Sequence, residues 1–417
     1  MSDWQTIKLS VDTPIFCGDA NQEPELRVSS IKGEIRFWLR AILGGVLGNN
    51  LDLIAEVESS LLGSTERSSK VAFRIPQQPE IREKTDSALH NKLNPRGNGF
   101  NGLAYMLGQG LCEYKKSQNR GEKGQILLKR GFIPTGATFE LKMRFTRKHS
   151  PAEKALLQWA MWAAFVLGGI GARNRRGFGR VRVQECPDDL IVLAKLPPEA
   201  LLSPRGRDTI LRGMRQQATY VATEILGDRF SPASPNDDLP TFPSMGSFKW
   251  DTSPGDDGSL FADSWSEAFA EVGLELRTFR ANEEVPRQGY SPARKTHEWL
   301  HTIHGEQKNH FPLGTLGLPI VFKKNESVSA TLEGSELRWP SPLFLTLIRQ
   351  GNGYRLISLF FITKFLPAID GKAPNVEYTG PRYSRDLEVE DQDASLLAEE
   401  WIDFINGLSV KRFTPRF

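Results

Sequence analysis

The chain has 417 residues, 39% of them hydrophobic and 25% charged, with 53 Lys and Arg against 50 Asp and Glu. That length suggests two or three domains, each large enough to bury a core. A net charge of +3 argues against a histone-like polyanion coat. No apolar run reaches the roughly 18 residues of a membrane span, and the first residues carry no basic and apolar leader. A cytoplasmic protein with no membrane partner is expected.

In chain order, Ile7, Leu9 and Val11 alternate with polar residues, which predicts a strand with one buried face. Ile31, Ile35, Trp38, Leu39 and Ile42 recur at helical spacing and predict an amphipathic helix. A short run, Val71 to Ile75, follows as a strand. Residues 77–131, rich in Gly, Asn and Lys, form a long insertion expected to lie over a binding surface. Phe139, Leu141, Met143 and Phe145 alternate as a further strand. Ser150-Pro151-Ala152-Glu153 is a capping box, opening a helix that is apolar nearly all round and stops at Gly168-Gly169. Phe178 to Val183 completes the order β-α-β-β-α-β, a split βαβ unit of ferredoxin type.

Further on, residues 231–258 are rich in Pro, Ser and Asp and are expected to be a flexible loop. Strands are expected at 318–322 and 328–332, a hairpin at 343–349 and 354–362, and a last helix near 393–407. Cys17, Cys112 and Cys186 contain no CxxC pair and fit a reducing compartment. The fold class expected is α+β, two tandem ferredoxin-like domains with long loop insertions, at 1–190 and 191–417.

Charge is segregated locally. Residues 173–182, RNRRGFGRVR, hold five arginines and no acid, the footprint of a localised polyanion site. The segment 168–179 is glycine-rich but follows a helix and precedes a strand, the reverse of a nucleotide-binding loop, so no cofactor is expected. Gly171 lets backbone approach a partner. Arg173, Arg175, Arg176 and Arg180 supply forked donors for phosphate oxygens, with Asn174 among them, and Phe178 offers a ring for an unpaired base. Lys32, Arg36 and Arg40, four apart on the first helix, form a basic stripe that Arg27 extends.

These residues resemble a family. Thr13-Pro-Ile-Phe-Cys-Gly18 and Leu26-Arg-Val-Ser-Ser-Ile-Lys-Gly-Glu-Ile-Arg-Phe-Trp-Leu-Arg40 are similar to the opening of the first RAMP subunit of the Cmr complex, the type III-B CRISPR effector. Residues 58–64, 105–110, the glycine–arginine loop, 311–322 and 339–343 extend the likeness. The resemblance implies two ferredoxin-like RAMP domains and a non-catalytic, antiviral RNA-binding subunit. Its partners would be crRNA, near the 3′ end, target single-stranded RNA and other RAMP subunits. In that family cleavage belongs to the repeated backbone subunit, through an aspartate in a loop after its first strand; Asp19 occupies a comparable loop here. Where the family tends to have Pro-Arg, this chain has Pro312-Leu313.

The rival reading is an enzyme. His297-Glu298-Trp299-Leu300-His301 matches HExxH, which on a helix puts two imidazoles on zinc with the glutamate as base. The third ligand of the extended motif would fall on Gln307, which argues against a zinc-dependent hydrolase. A purely architectural subunit, touching only protein, is a third reading.

Overall fold

The computed structural model describes residues 3–18, 23–79, 89, 92–94, 102–117, 124–234, 238–253, 262, 264–281, 302–303, 309–323 and 326–412. The first sheet is built as its alternation dictates. Strand β1 (Gln5–Val11) buries Ile7, Leu9 and Val11 and pairs antiparallel with β5 (Thr138–Phe145), Ile7 opposite Leu141. With β2 (Val71–Arg74) on one flank and β6 (Val181–Glu185) on the other, the strand order is β2-β5-β1-β6. Helix α1 (Val28–Leu47) connects β1 to a second helix, α2 (Leu51–Leu62), whose N-cap Asn50 accepts from the Leu53 amide. The β5–β6 connection begins in helix α4 (Pro151–Ala163). Its capping box forms as expected, Ser150 accepting from the Glu153 amide and Glu153 from the Ser150 amide. This is the ferredoxin-like β-α-β-β-α-β order. The last strand starts at Val181, three residues later than the alternation predicts, because Phe178 and Gly179 remain in the loop.

The second half repeats the plan incompletely. Strand β7 (Phe248–Ser253), helix α7 (Trp265–Ala281), the hairpin β11 (Leu343–Gln350) and β12 (Gly353–Phe361), and helix α8 (Asp393–Arg412) follow in order, and the sheet runs β11-β12-β7. That is three strands of a ferredoxin-like sheet; among the described residues no strand flanks β7 as β6 flanks β1. A five-stranded sheet, β8 (Ile320–Lys323), β9 (Glu326–Leu332), β10 (Ser335–Leu337), β13 (Asn375–Thr379) and β14 (Ser384–Leu387), is inserted on both sides of the hairpin. Residues 248–253, expected within a loop, are thus a strand. The long insertion is also structured in part. Helix α3 (Gly102–Leu107) packs on α7 so tightly that a Cβ on Gly102 would stand 1.8 Å from the Ala270 carbonyl oxygen. The hairpin β3 (Cys112–Lys115) and β4 (Gln125–Leu128) follows it.

Packing crosses the sequence midpoint. Short helix α5 (Ile191–Lys195) and long helix α6 (Pro204–Leu226) bury Leu193, Ile210, Met214, Val221 and Leu226 in the same core as the first sheet, although they lie beyond residue 190. Phe344, Ile357 and Phe361 of the second sheet join that core, where Phe37 stacks on Phe344 at 5.6 Å between ring centroids. Thr346 Oγ1 donates to the carbonyls of Val166 and Leu167, at 3.1 and 3.2 Å.

Candidate nucleic-acid interface

The glycine–arginine loop lies at this seam. After α4 the helix widens through a π-turn, Ala164–Gly168, and the chain enters residues 169–180. Gly179, at φ +80°, has no room for a side chain: a Cβ there would come within 2.0 Å of the Ile170 carbonyl oxygen. Thr13 Oγ1 holds the end of the loop, donating to Gly177 O at 2.8 Å and accepting from the Arg180 amide at 2.9 Å. Phe16 pairs with Ala172, so Gly171 lies against the 13–18 segment.

Most of the loop's side chains point into protein. Phe178 is fully buried, 4.7 Å from the Phe269 ring and 5.6 Å from that of Phe16, and so is closed to a base. Arg180 is 0% exposed and its Nη2 donates to Asp12 at 3.2 Å, which removes it as a surface phosphate donor. Arg175 donates to the Ser341 carbonyl at 2.6 Å and lies over Phe344 and Phe37, at 5.0 and 5.7 Å. Arg176 lies over Tyr105 at 5.5 Å. Burial draws the guanidinium pKa of both Arg175 and Arg176 down to about 10, so each stays charged at neutral pH. Burial alone would push the Tyr105 hydroxyl up, yet Arg280, Arg176 and Arg277 around it bring it below its ordinary value. A sequence that looks like an exposed basic turn is therefore mainly an internal clamp. Its guanidiniums bury well because planar, weakly hydrated forks stack on rings.

The basic stripe of α1 is partly committed too. Arg36 and Arg40 both bond the buried Glu58 of α2, and Arg36 also donates to Leu62 O at 2.8 Å. Lys32 keeps its charge half-exposed, and Arg27, exposed, donates to Gly18 O at 2.6 Å. Helix and loop do lie side by side: Asn174 Nδ2 donates to Glu34 Oε1 at 2.7 Å. Burial pushes the Glu34 carboxyl up to about 7 despite the opposing pull of Asn174 and Arg175.

Arg173 differs from the rest of the loop. It sits at φ +64°, rare for a residue with a side chain, and its guanidinium fills the notch beside Gly108, where a Cβ would approach Nη2 to 2.6 Å. Among the described residues no carboxylate pairs with it or with the exposed Arg338, whose charge reaches both Arg173 and Arg175. Lys129, also exposed, lies with Arg173 near Cys112. Sequence reasoning missed Arg338 and Lys129. The first adjoins the 339–343 segment, but nothing in the spacing joins either to the loop. The segments 13–18, 105–110, the loop and 339–343, scattered over the chain, converge here.

Asp19 and the HExxH segment with His297 and His301 lie outside the described residues. Among the described residues no three His, Cys, Asp or Glu side chains are grouped to hold a metal, and no helix is long and apolar enough to cross a membrane.

Residues 8–182 match the family model of the RAMP superfamily. Over that stretch the chain is similar to RAMP proteins. Over 184 residues it is 26% identical to CRISPR system Cmr subunit Cmr1-2 of Pyrococcus furiosus, an alignment covering 42% of this chain and 92% of that protein. Cmr subunit Cmr1-1 of the same organism is 25% identical over 224 residues, 53% of this chain and 57% of its own. The apo crystal structure of Cmr1 from Pyrococcus furiosus shares the fold over 98% of this chain and 97% of its own, with a TM-score of 0.53 at 16% identity.

Proposed function

We propose that this chain is a RAMP protein, a non-catalytic RNA-binding subunit of a type III-B CRISPR ribonucleoprotein, acting in the cytoplasm beside sister RAMP subunits. The likeness to Cmr subunits supports the assembly. The observation that carries RNA binding is the group of cations outside the clamp's ion pairs and ring contacts: Arg173, half-buried in its glycine notch, with the exposed Arg338 and Lys129 near it, and half-buried Lys32 and exposed Arg27 on the α1 side. Arg175, Arg176 and Asn174 hold the loop's shape, and Gly171 seats it against residues 13–18. Cations of this kind meet phosphate oxygens and position a strand of crRNA or target without reading its bases.

Arg173→Ala combined with Arg338→Ala tests this by fluorescence anisotropy of a single-stranded RNA at several salt concentrations. The log–log salt slope is expected to fall by about 0.7 for each phosphate that the variant no longer neutralises. An unchanged slope removes this surface from the interface.

A further inference from the structure

The chain carries a second arginine cluster whose lining shares no residue with the Arg173–Arg338 surface. Arg182 on β6, Arg349 on β11 and Arg355 on β12 line an open cleft of about 650 Å³, together with Glu199, Gln350, Gly351 and Ser203. That volume falls among small-ligand sites, on the order of 300–1,000 Å³. Ser203 is the N-cap of α6, a helix of 23 residues, so the positive end of its dipole opens on the same cleft.

The charged groups at the cleft's edge are linked to one another. Asp12 Oδ2 accepts from Arg180 Nη2 at 3.2 Å and from Arg182 Nε at 3.4 Å, while Arg182 Nη1 meets Glu199 at 3.2 Å. Tyr354 lies within electrostatic reach of Arg349, Asp12, Arg180 and Arg182, which places all four around one phenol. A donor is also left over at the cleft: Nη2 of the lining Arg182 is buried without a hydrogen-bond partner. An unmet buried donor is costly, more so when charged, and an anion in the cleft would answer it.

We propose that this cleft is a phosphate-binding site. A tetrahedral phosphate offers several acceptor oxygens and up to two charges, which matches forked donors from two or three arginines beside a helix N-terminus. The phosphate comes from the end of an RNA strand, from its backbone, or from solution. The inference does not depend on the Arg173 surface binding RNA.

The test is thermal unfolding of the full chain with inorganic phosphate added at constant ionic strength, balanced by chloride. The wild type is expected to gain stability with phosphate concentration. Arg349→Gln, at an exposed position, is expected to weaken the response at least tenfold without moving the melting point in chloride; Arg182→Gln is the second variant. No gain beyond that of chloride, or a gain unchanged in both variants, overturns the proposal. Short oligoribonucleotides in an Arg173→Ala, Arg338→Ala background then separate the sources, each result supporting the site. Tighter binding of end-phosphorylated strands, abolished by Arg349→Gln, marks a terminal phosphate. Equal binding of both strands, competed by inorganic phosphate, marks the backbone. Response to inorganic phosphate alone marks the free ion.

Discussion

Phe178→Leu separates a structural ring from a base-stacking one. Leucine keeps most of the apolar burial at this fully buried position but forfeits two ring pairings, with Phe269 at 4.7 Å and Phe16 at 5.6 Å. Each aromatic pair contributes about 0.5–1.5 kcal/mol beyond area, so the substitution should cost about 1–3 kcal/mol of stability. Urea unfolding followed by tryptophan fluorescence reads this as a lower midpoint at unchanged slope. Single-strand affinity, measured without urea, should change by less than about twofold. A base stacked on the ring would instead make the substitution cost about 1–3 kcal/mol of binding, roughly 5- to 150-fold. A tenfold loss of affinity with an unmoved midpoint would refute the assignment of Phe178 to the core.

Glu34→Gln should stabilise the protein above pH 7 by about 1–3 kcal/mol, because the folded carboxyl titrates near 7, above its ordinary 4.5, and its charged form is the disfavoured one. The native state holds that proton longer than the unfolded chain, so wild-type stability falls between pH 4.5 and 7 and the variant's advantage vanishes at the acid end. Melting curves at pH 4.5 and 8 check the sign; an equal difference at both would sink it. Glu58→Gln should cost about 1–3 kcal/mol, mostly through the half-buried Arg36, since the more exposed Arg40 pair contributes little; an unshifted melting point would contradict this. Gly108→Ala should displace the Arg173 guanidinium and weaken RNA affinity about threefold or more at a stability cost of about 1–2 kcal/mol; unaltered affinity would detach the notch from binding.

The first sheet was legible because its strands each bury one face, and period-two patterns record that directly: Ile7, Leu9, Val11 and Phe139 to Phe145 lie where alternation puts them. The capping box and the 343–362 hairpin were legible through local chemistry. Strand β7 was hidden among Pro, Ser and Asp, because its burial is uneven and its partner β12 lies about a hundred residues away. Helix α6 carries enough surface arginine to mask its apolar stripe. Within the loop, composition disclosed a concentration of guanidiniums but not their direction. Arginines on phosphate and arginines packed over Phe37 and Phe344 are written with the same letters, and only the tertiary neighbours of Arg175 tell them apart.

One guanidinium, Arg175, touches a ring of α1, a ring of the second sheet and the Ser341 carbonyl, in a loop that also carries Arg173. Force applied by a strand at residue 173 is therefore borne by both halves together, since sliding one past the other would first unstack that guanidinium. The described residues at this seam lock the halves together, and the chain should melt as a single cooperative block rather than open like a clam around its ligand.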